Sequence, residues 1–257
     1  MVAILEAVAD AQGSVGVREL ARDTGVDKSA VSRLLAQLLQ LEMVEQAPGG
    51  QGRYTVGPRF FAISGMVAAR DSLMAAARPI MRSLVDDVEE TCYLATVDNN
   101  ELVFRDKADC HKPIRYVLEM GRSIPLHAGA GGRAVLAAMT PEEAGVVLRQ
   151  APLEQLTART VIDPDALLEL AEQDRGRGYS VSIGERVIGG TAIASPYFLS
   201  DGTCRGSLVL TIPSERLRVG LVPQLGAAVA AAAKDLSTRL GYRGTWHDWR
   251  PVHAEHP

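Results

Sequence analysis

The chain has 257 residues, 47% of them hydrophobic and 23% charged, with a net charge of −4. It is long enough for two cores, and its charge gives no general affinity for polyanions. No apolar run approaches the length of a membrane span and no signal-peptide pattern opens the chain, so the expected location is the cytoplasm, with no membrane partner.

A first helix is expected around Ala3 to Asp10, with Ile4, Leu5 and Val8 on one face. It begins almost at Met1, which reads as a late start. Residues Val17 to Arg33 follow, VRELARDTGVDKSAVSR, and they have helix-turn-helix spacing. Ala21 is small enough for two helices to cross closely. Gly25 suits the left-handed end of the first of them. Asp27 stands as N-cap before Lys28. Val31, Leu34, Leu35 and Leu38 follow the i, i+3, i+4, i+7 pattern of one apolar face.

The opposite face of that helix carries Ser29, Ser32, Arg33 and Gln37. In a major groove, Arg33 can reach guanine edges or phosphates, and Gln37 can pair with adenine from two turns in. Lys28, Ser29 and Ser32 can hold phosphate oxygens at the helix N-terminus. The alternative is a solvated face of a protein-binding three-helix unit.

Met43–Gln46 and Arg53–Val56 are short strand-like runs joined by Ala47-Pro48-Gly49-Gly50-Gln51-Gly52. A hairpin in this place is a wing, with Arg53 its expected DNA contact, or else a plain charged hairpin residue. Residues 1–60 hold six basic side chains (Arg18, Arg22, Lys28, Arg33, Arg53, Arg59) against seven acidic ones, a net charge of −1. Positive charge is therefore local, which points to two half-sites read together by a dimer on double-stranded DNA.

After Gly57-Pro58 a linking helix is expected over 59–78, striped by Phe60, Ile63, Met66 and Val67, with Pro79 interrupting or restarting it. Ile80–Glu89 is read as the first helix of a second domain, 79–241. Strands are expected at Cys92–Val97, Leu102–Lys107, Ile114–Met120, Ile193–Tyr197 and Ser207–Ile212. Helices are expected after the turn at Pro125–Gly132, at Thr140-Pro141-Glu142-Glu143, at Asp163-Pro164 and over Pro223–Leu240. Antiparallel strands with grouped helices make an α+β domain. Residues 242–257, with Trp246 and Trp249, read as a loose tail.

Gly129-Ala130-Gly131-Gly132 opens a helix. It fits neither a dinucleotide fingerprint, which needs an alternating βαβ setting, nor a P-loop, which needs a closing Gly-Lys-Ser/Thr. Its backbone amides suit a small anion such as a carboxylate. Equally, the glycines make a tight turn that packs the helix on a sheet.

No catalytic constellation stands out, and no cofactor is called for. His127 is read as a structural histidine beside a turn, with a ligand hydrogen bond as the alternative. Cys92, Cys110 and Cys204 are an odd set of thiols without metal spacing, so neither a disulfide framework nor a metal site is expected. Cys92 reads as a small core residue.

Taken together, the chain resembles the IclR family of bacterial transcription regulators. Gly25–Leu35 looks like the family's recognition-helix segment and Arg53–Pro58 like its wing end. Leu126-His127-Ala128-Gly129 with Gly132–Ala137 resembles its ligand-domain motif. Gly178-Tyr179-Ser180, Glu185, Ile193–Pro196 and Asp201-Gly202 follow in the family's order.

The resemblance implies a GAF-like effector domain, a small organic-acid effector, dimers and often tetramers. Carried over by position, it lines the pocket with the Gly129–Gly132 turn, Ser182, Ala192, Val209 and Thr211. Ala192 stands where some members have Cys and Val209 where some have Ser, which makes the pocket less polar and argues against a glyoxylate-like ligand. Two alternatives are a metabolic enzyme with a winged-helix appendage and a winged-helix regulator of another family. The first lacks a catalytic set, and an all-helical ligand domain conflicts with the strand-rich region after Thr91.

Overall fold

The computed structural model describes residues 1–11, 13–48, 52–70, 72–150 and 152–244, apart from the side chains of residues 65, 67–70 and 219. The wing-tip residues Gly49, Gly50 and Gln51, the Val67 side chain and the tail from residue 245 lie outside the described residues. The chain divides into two compact units, Met1–Asp71 and Ser72–Pro257.

In the first unit, α1 (Val2–Asp10), α2 (Val17–Thr24) and α3 (Lys28–Gln40) share a core with a three-stranded antiparallel sheet. That sheet is ordered β1 (Val15–Gly16), β3 (Arg53–Val56), β2 (Val44–Gln46). The 3.6-residue period of α3 puts Val31, Leu35 and Leu38 into this core beside Ile4, Val8 and Leu20, with Leu34 packed at its edge. Gly25 has φ 68°, the left-handed geometry that ends α2 and turns the chain toward α3. Helix α4 runs over Pro58–Arg70 and ends short of the 59–78 span expected for a linking helix.

The next helix, α5 (Ser72–Val88), continues through Pro79, so the expected break there is corrected. A proline inside a helix costs one backbone hydrogen bond. Burial of Met74, Ala77, Ile80, Met81, Leu84 and Val85 offsets that cost.

The second unit is built on six antiparallel strands ordered β6-β5-β4-β9-β8-β7. These are β4 (Thr91–Asp98), β5 (Glu101–Ala108), β6 (Ser123–Pro125), β7 (Ser180–Ile183), β8 (Gly190–Phe198) and β9 (Cys204–Pro213). Alternation along β4 and β9 splits the core in two. Cys92, Leu94, Leu208 and Leu210 pack with α5 and α9 (Val222–Arg239) on one face. Tyr93, Ala95 and Val209 pack on the other with α6 (Ala130–Ala137), α7 (Pro141–Arg149) and α8 (Pro164–Arg177). The expected caps are present: Thr140 and Glu143 close a reciprocal capping box, and Asp163 accepts from the amides of Asp165 and Ala166.

Ile114–Met120 is not a strand. The segment from Asp109 to Arg122 is irregular, and the edge strand follows it at Ser123–Pro125. Among the described residues no helix is long and apolar enough to cross a membrane.

Candidate functional site

The outer face of α3 is open. Lys28, Ser29, Ser32, Arg33 and Gln37 are all exposed. Asp27 caps the helix, its Oδ1 accepting from the Ser29 amide at 2.8 Å and from the Ser29 hydroxyl at 2.6 Å. Those two bonds hold the Asp27 carboxyl below its ordinary range. The Ser32 hydroxyl donates to the Lys28 carbonyl at 3.0 Å. A carboxylate therefore occupies the helix N-terminus and both serine protons are already engaged. Lys28 and Arg33 are the cationic side chains left exposed on this face.

Arg53 departs from the wing-contact expectation. Its Nε donates to Ser14 Oγ at 3.0 Å and another guanidinium nitrogen to the Ser14 carbonyl. It also pairs with Glu19 at 3.2 Å. Glu19 in turn accepts from the Gly16 amide at 2.9 Å, which together with Arg53 lowers its pKa. The pairing of β1 with β3 brings Arg53 beside α2, so this cation ties the sheet to the helix-turn-helix.

In the second unit a cavity with about 500 Å³ of empty space, its mouth included, lies between the sheet and the start of α6. A cavity of that size suits a small ligand.

Strand register explains why the carried-over residues meet here. Ser182 pairs with Ala192 and Ala192 with Thr211, which makes one row across β7, β8 and β9. Val209 lies two residues from Thr211 and so shares its face. All four line the cavity, as do Gly129, Ala130 and Gly131. Gly132 does not; an added Cβ there would lie 2.2 Å from the Leu126 carbonyl oxygen. Gly132 is a packing glycine, while Ala130 and Gly131, in the first turn of α6 where amides lack intrahelical partners, line the cavity.

Thr211 Oγ1 is buried without a hydrogen-bond partner. An unmet buried hydroxyl is costly, and here it belongs to a side chain that lines a cavity.

Sequence reasoning missed other parts of the wall, among them Phe104, Tyr116, Leu118, Ile124 and Arg186. Tyr93 and Phe104 meet edge to face at 5.4 Å. The Tyr93 hydroxyl donates to the Tyr116 carbonyl and accepts from the Leu118 amide, both at 3.1 Å. Tyr116 Oη donates to the Ile188 carbonyl at 3.0 Å, which joins the irregular segment to the β7–β8 loop. A basic residue in that glycine-flanked loop, Gly184-Glu185-Arg186, was the available signal.

Arg133 fixes this frame from below. Fully buried, it pairs with Asp174 at 2.7 Å and with Glu185 at 3.0 Å, and it donates to the Val181 carbonyl. Burial alone would lower its pKa, but the two carboxylates outweigh burial and raise it. His127 Nε2 lies 3.0 Å from the Glu154 carbonyl oxygen, a structural contact. Burial pushes the Cys92 and Cys204 thiols up to about 12, which keeps them protonated.

Residues 1–48 match the model of the IclR helix-turn-helix domain, and residues 66–238 match that of the bacterial transcriptional regulator IclR C-terminal. The chain is 31% identical over 244 residues to the acetate operon repressor of Salmonella typhimurium, covering 94% of this chain and 88% of that protein. The crystal structure of Pseudomonas aeruginosa HmgR superimposes with a TM-score of 0.72 at 27% identity, over 93% of this chain and 96% of that one. An IclR homologue from Microbacterium hydrocarbonoxydans, complexed with 4-hydroxybenzoate, superimposes with a TM-score of 0.79 at 24% identity, over 93% and 96%.

Proposed function

The chain belongs to the IclR family of bacterial transcription regulators, and from that premise we propose that a small organic acid in the cavity of its second unit sets the affinity of α3 for an operator. The observation that carries the effector half is Thr211 Oγ1, unpartnered on the cavity wall. The acid's polar atoms reach Thr211 and the amides of Ala130 and Gly131, and its body rests on Ala192 and Val209. The relative complexed with 4-hydroxybenzoate supports an acid of this kind. A site of action on bacterial operator DNA places the protein in the cytoplasm.

Binding of the acid shifts operator affinity by a coupling of about 1–3 kcal/mol. Thr211→Val tests the pocket. Removing an unpaired buried hydroxyl leaves the ligand-free protein as stable or more stable. Loss of one hydrogen bond costs about 0.5–1.5 kcal/mol, a two- to tenfold weaker effector response. Operator binding without effector stays unchanged. An unaltered response in a gel-shift titration with the acid would remove Thr211 from the site.

On the DNA side, Arg33→Ala weakens operator binding by about 1–3 kcal/mol and relaxes base preference, whereas Lys28→Ala weakens all sequences alike. Gel shifts against an operator and its base-substituted variants separate the two. If Arg33→Ala changes neither affinity nor preference, α3 is not the reading helix. Two chains bind each operator, joined through Phe61, Ile63 and Met66, which α4 leaves exposed. Light scattering of the complex gives that stoichiometry.

A further inference from the structure

Arg186 is the one charged side chain on the cavity wall among the described residues. It is partly buried, which lowers its pKa, and its guanidinium sits 5.3 Å from the centre of the Phe104 ring. No ion pair or hydrogen bond to it is found among the described residues, and the nearby carboxylates are committed elsewhere. Glu119 pairs with Arg122 at 2.6 Å, and Glu185 with Arg133 at 3.0 Å. Glu119 attracts it only from beyond ion-pair distance, so a half-buried cation held against an aromatic ring, with no carboxylate in contact, is a receptor lacking its anion.

Its position is fixed on both sides. One residue earlier, Glu185 holds Arg133 with its carboxylate, while its carbonyl accepts from Thr160 at 2.6 Å and Thr157 at 3.1 Å. Two residues later, the Ile188 carbonyl accepts from Tyr116. The Arg186 Cβ also lies 3.6 Å from where a Cβ on Gly129 would stand, so the loop and the α6 turn meet at the cavity.

We propose that Arg186 is the anion receptor of the effector pocket and restricts it to monoanions: a small monocarboxylate whose charge is met by Arg186, whose second polar atom meets Thr211, and whose apolar body lies between Phe104 and Val209. This rests on the cavity being the effector site. A single cation matches one negative charge; a second carboxylate would be desolvated with no partner. Ser182, Thr191 and Thr211 supply only neutral polar groups.

The test is calorimetric titration of the full chain with benzoate, 4-hydroxybenzoate and butyrate, each against its primary amide, and with succinate against butyrate. At least one monocarboxylate binds the wild-type protein about tenfold or more tightly than its amide, as a charge-assisted contact requires, and butyrate binds better than succinate. Arg186→Gln abolishes the preference for acid over amide, and Arg186→Lys restores part of it. Arg186 makes no protein ion pair, and loss of its Phe104 contact is countered by relief of a desolvated charge, so both variants stay folded, as their melting temperatures check, and bind operator without effector.

Equal binding of acid and amide by wild type, or wild-type affinity for the acid in Arg186→Gln, overturns the assignment of Arg186. Succinate binding as tightly as butyrate overturns the restriction to monoanions. Ala192→Phe, which fills the cavity, separates this from the broader reading. If Ala192→Phe abolishes acid binding while Arg186→Gln does not, the pocket stands and Arg186 falls. If acid binding survives Ala192→Phe, or no monocarboxylate binds at all, both fall.

Discussion

Arg133→Met is expected to destabilise the 72–257 unit by about 3–5 kcal/mol, because it leaves Asp174 and Glu185 without the cation that holds them. Arg133 is only 2% exposed and Asp174 only 1%, so water cannot replace the lost partner at Asp174. Arg177, which also pairs with Asp174 at 2.5 Å, places the loss toward the lower end of that range.

The damage extends beyond stability. Arg133 on α6 is bonded to α8 through Asp174 and to the β7–β8 loop through Glu185. Its loss frees the loop that carries Arg186, so effector affinity falls as well. Urea unfolding of the full chain reads the first effect and acid titration the second. Adding Asp174→Leu to Arg133→Met recovers part of the stability, since a buried pair replaced by apolar groups is often neutral. A loss below about 1 kcal/mol for Arg133→Met would mean that the cluster is solvated.

Much of this is legible in the sequence where one element carries the whole signal. The inward and outward faces of α3 follow from periodicity within thirteen residues. The caps at Asp27, Thr140 and Asp163 are read from neighbours within three positions. Ser182, Ala192 and Thr211 came from family resemblance, and strand register gives the physical reason they share a row.

What stays hidden depends on partners distant in sequence. Ile114, Tyr116, Leu118 and Met120 alternate like a strand. Yet the Tyr93 hydroxyl holds both Tyr116 and Leu118, and their side chains line the cavity while Ile114 and Val117 stay exposed. Only the middle two positions of the alternation meet the cavity, and Ile114 and Met120 in the same phase are exposed, so the pattern marks neither a ladder nor a continuous wall. Arg53 looks like a free wing cation until Ser14 and Glu19 are brought beside it. Arg186 is a lone arginine in a glycine-flanked loop until Phe104 lies beneath it. Pro79 misleads because helix propensity is a weak prior against a buried apolar face.

Leu35→Ala carries the division into two units to a functional consequence. Leu35 is fully buried on the inner face of α3 and reaches no DNA. Truncating it removes about 2–5 kcal/mol through lost burial and the cavity left behind. A unit of this size has only about 4–10 kcal/mol of stability in total, at roughly 0.05–0.15 kcal/mol per residue. The substitution therefore removes a large share of the folded population of the first unit, and operator binding falls although every α3 side chain that faces outward is intact. The second unit keeps its own two cores, so benzoate or butyrate binding is retained. Calorimetric unfolding of the full chain should show the first unit's transition displaced to lower temperature and the second unit's transition in place. Gln37→Ala, on the exposed face of the same helix, should leave both transitions unchanged and alter only DNA binding. If Leu35→Ala shifts both transitions equally, the units do not fold independently, and the loss of operator binding cannot be assigned to α3 alone.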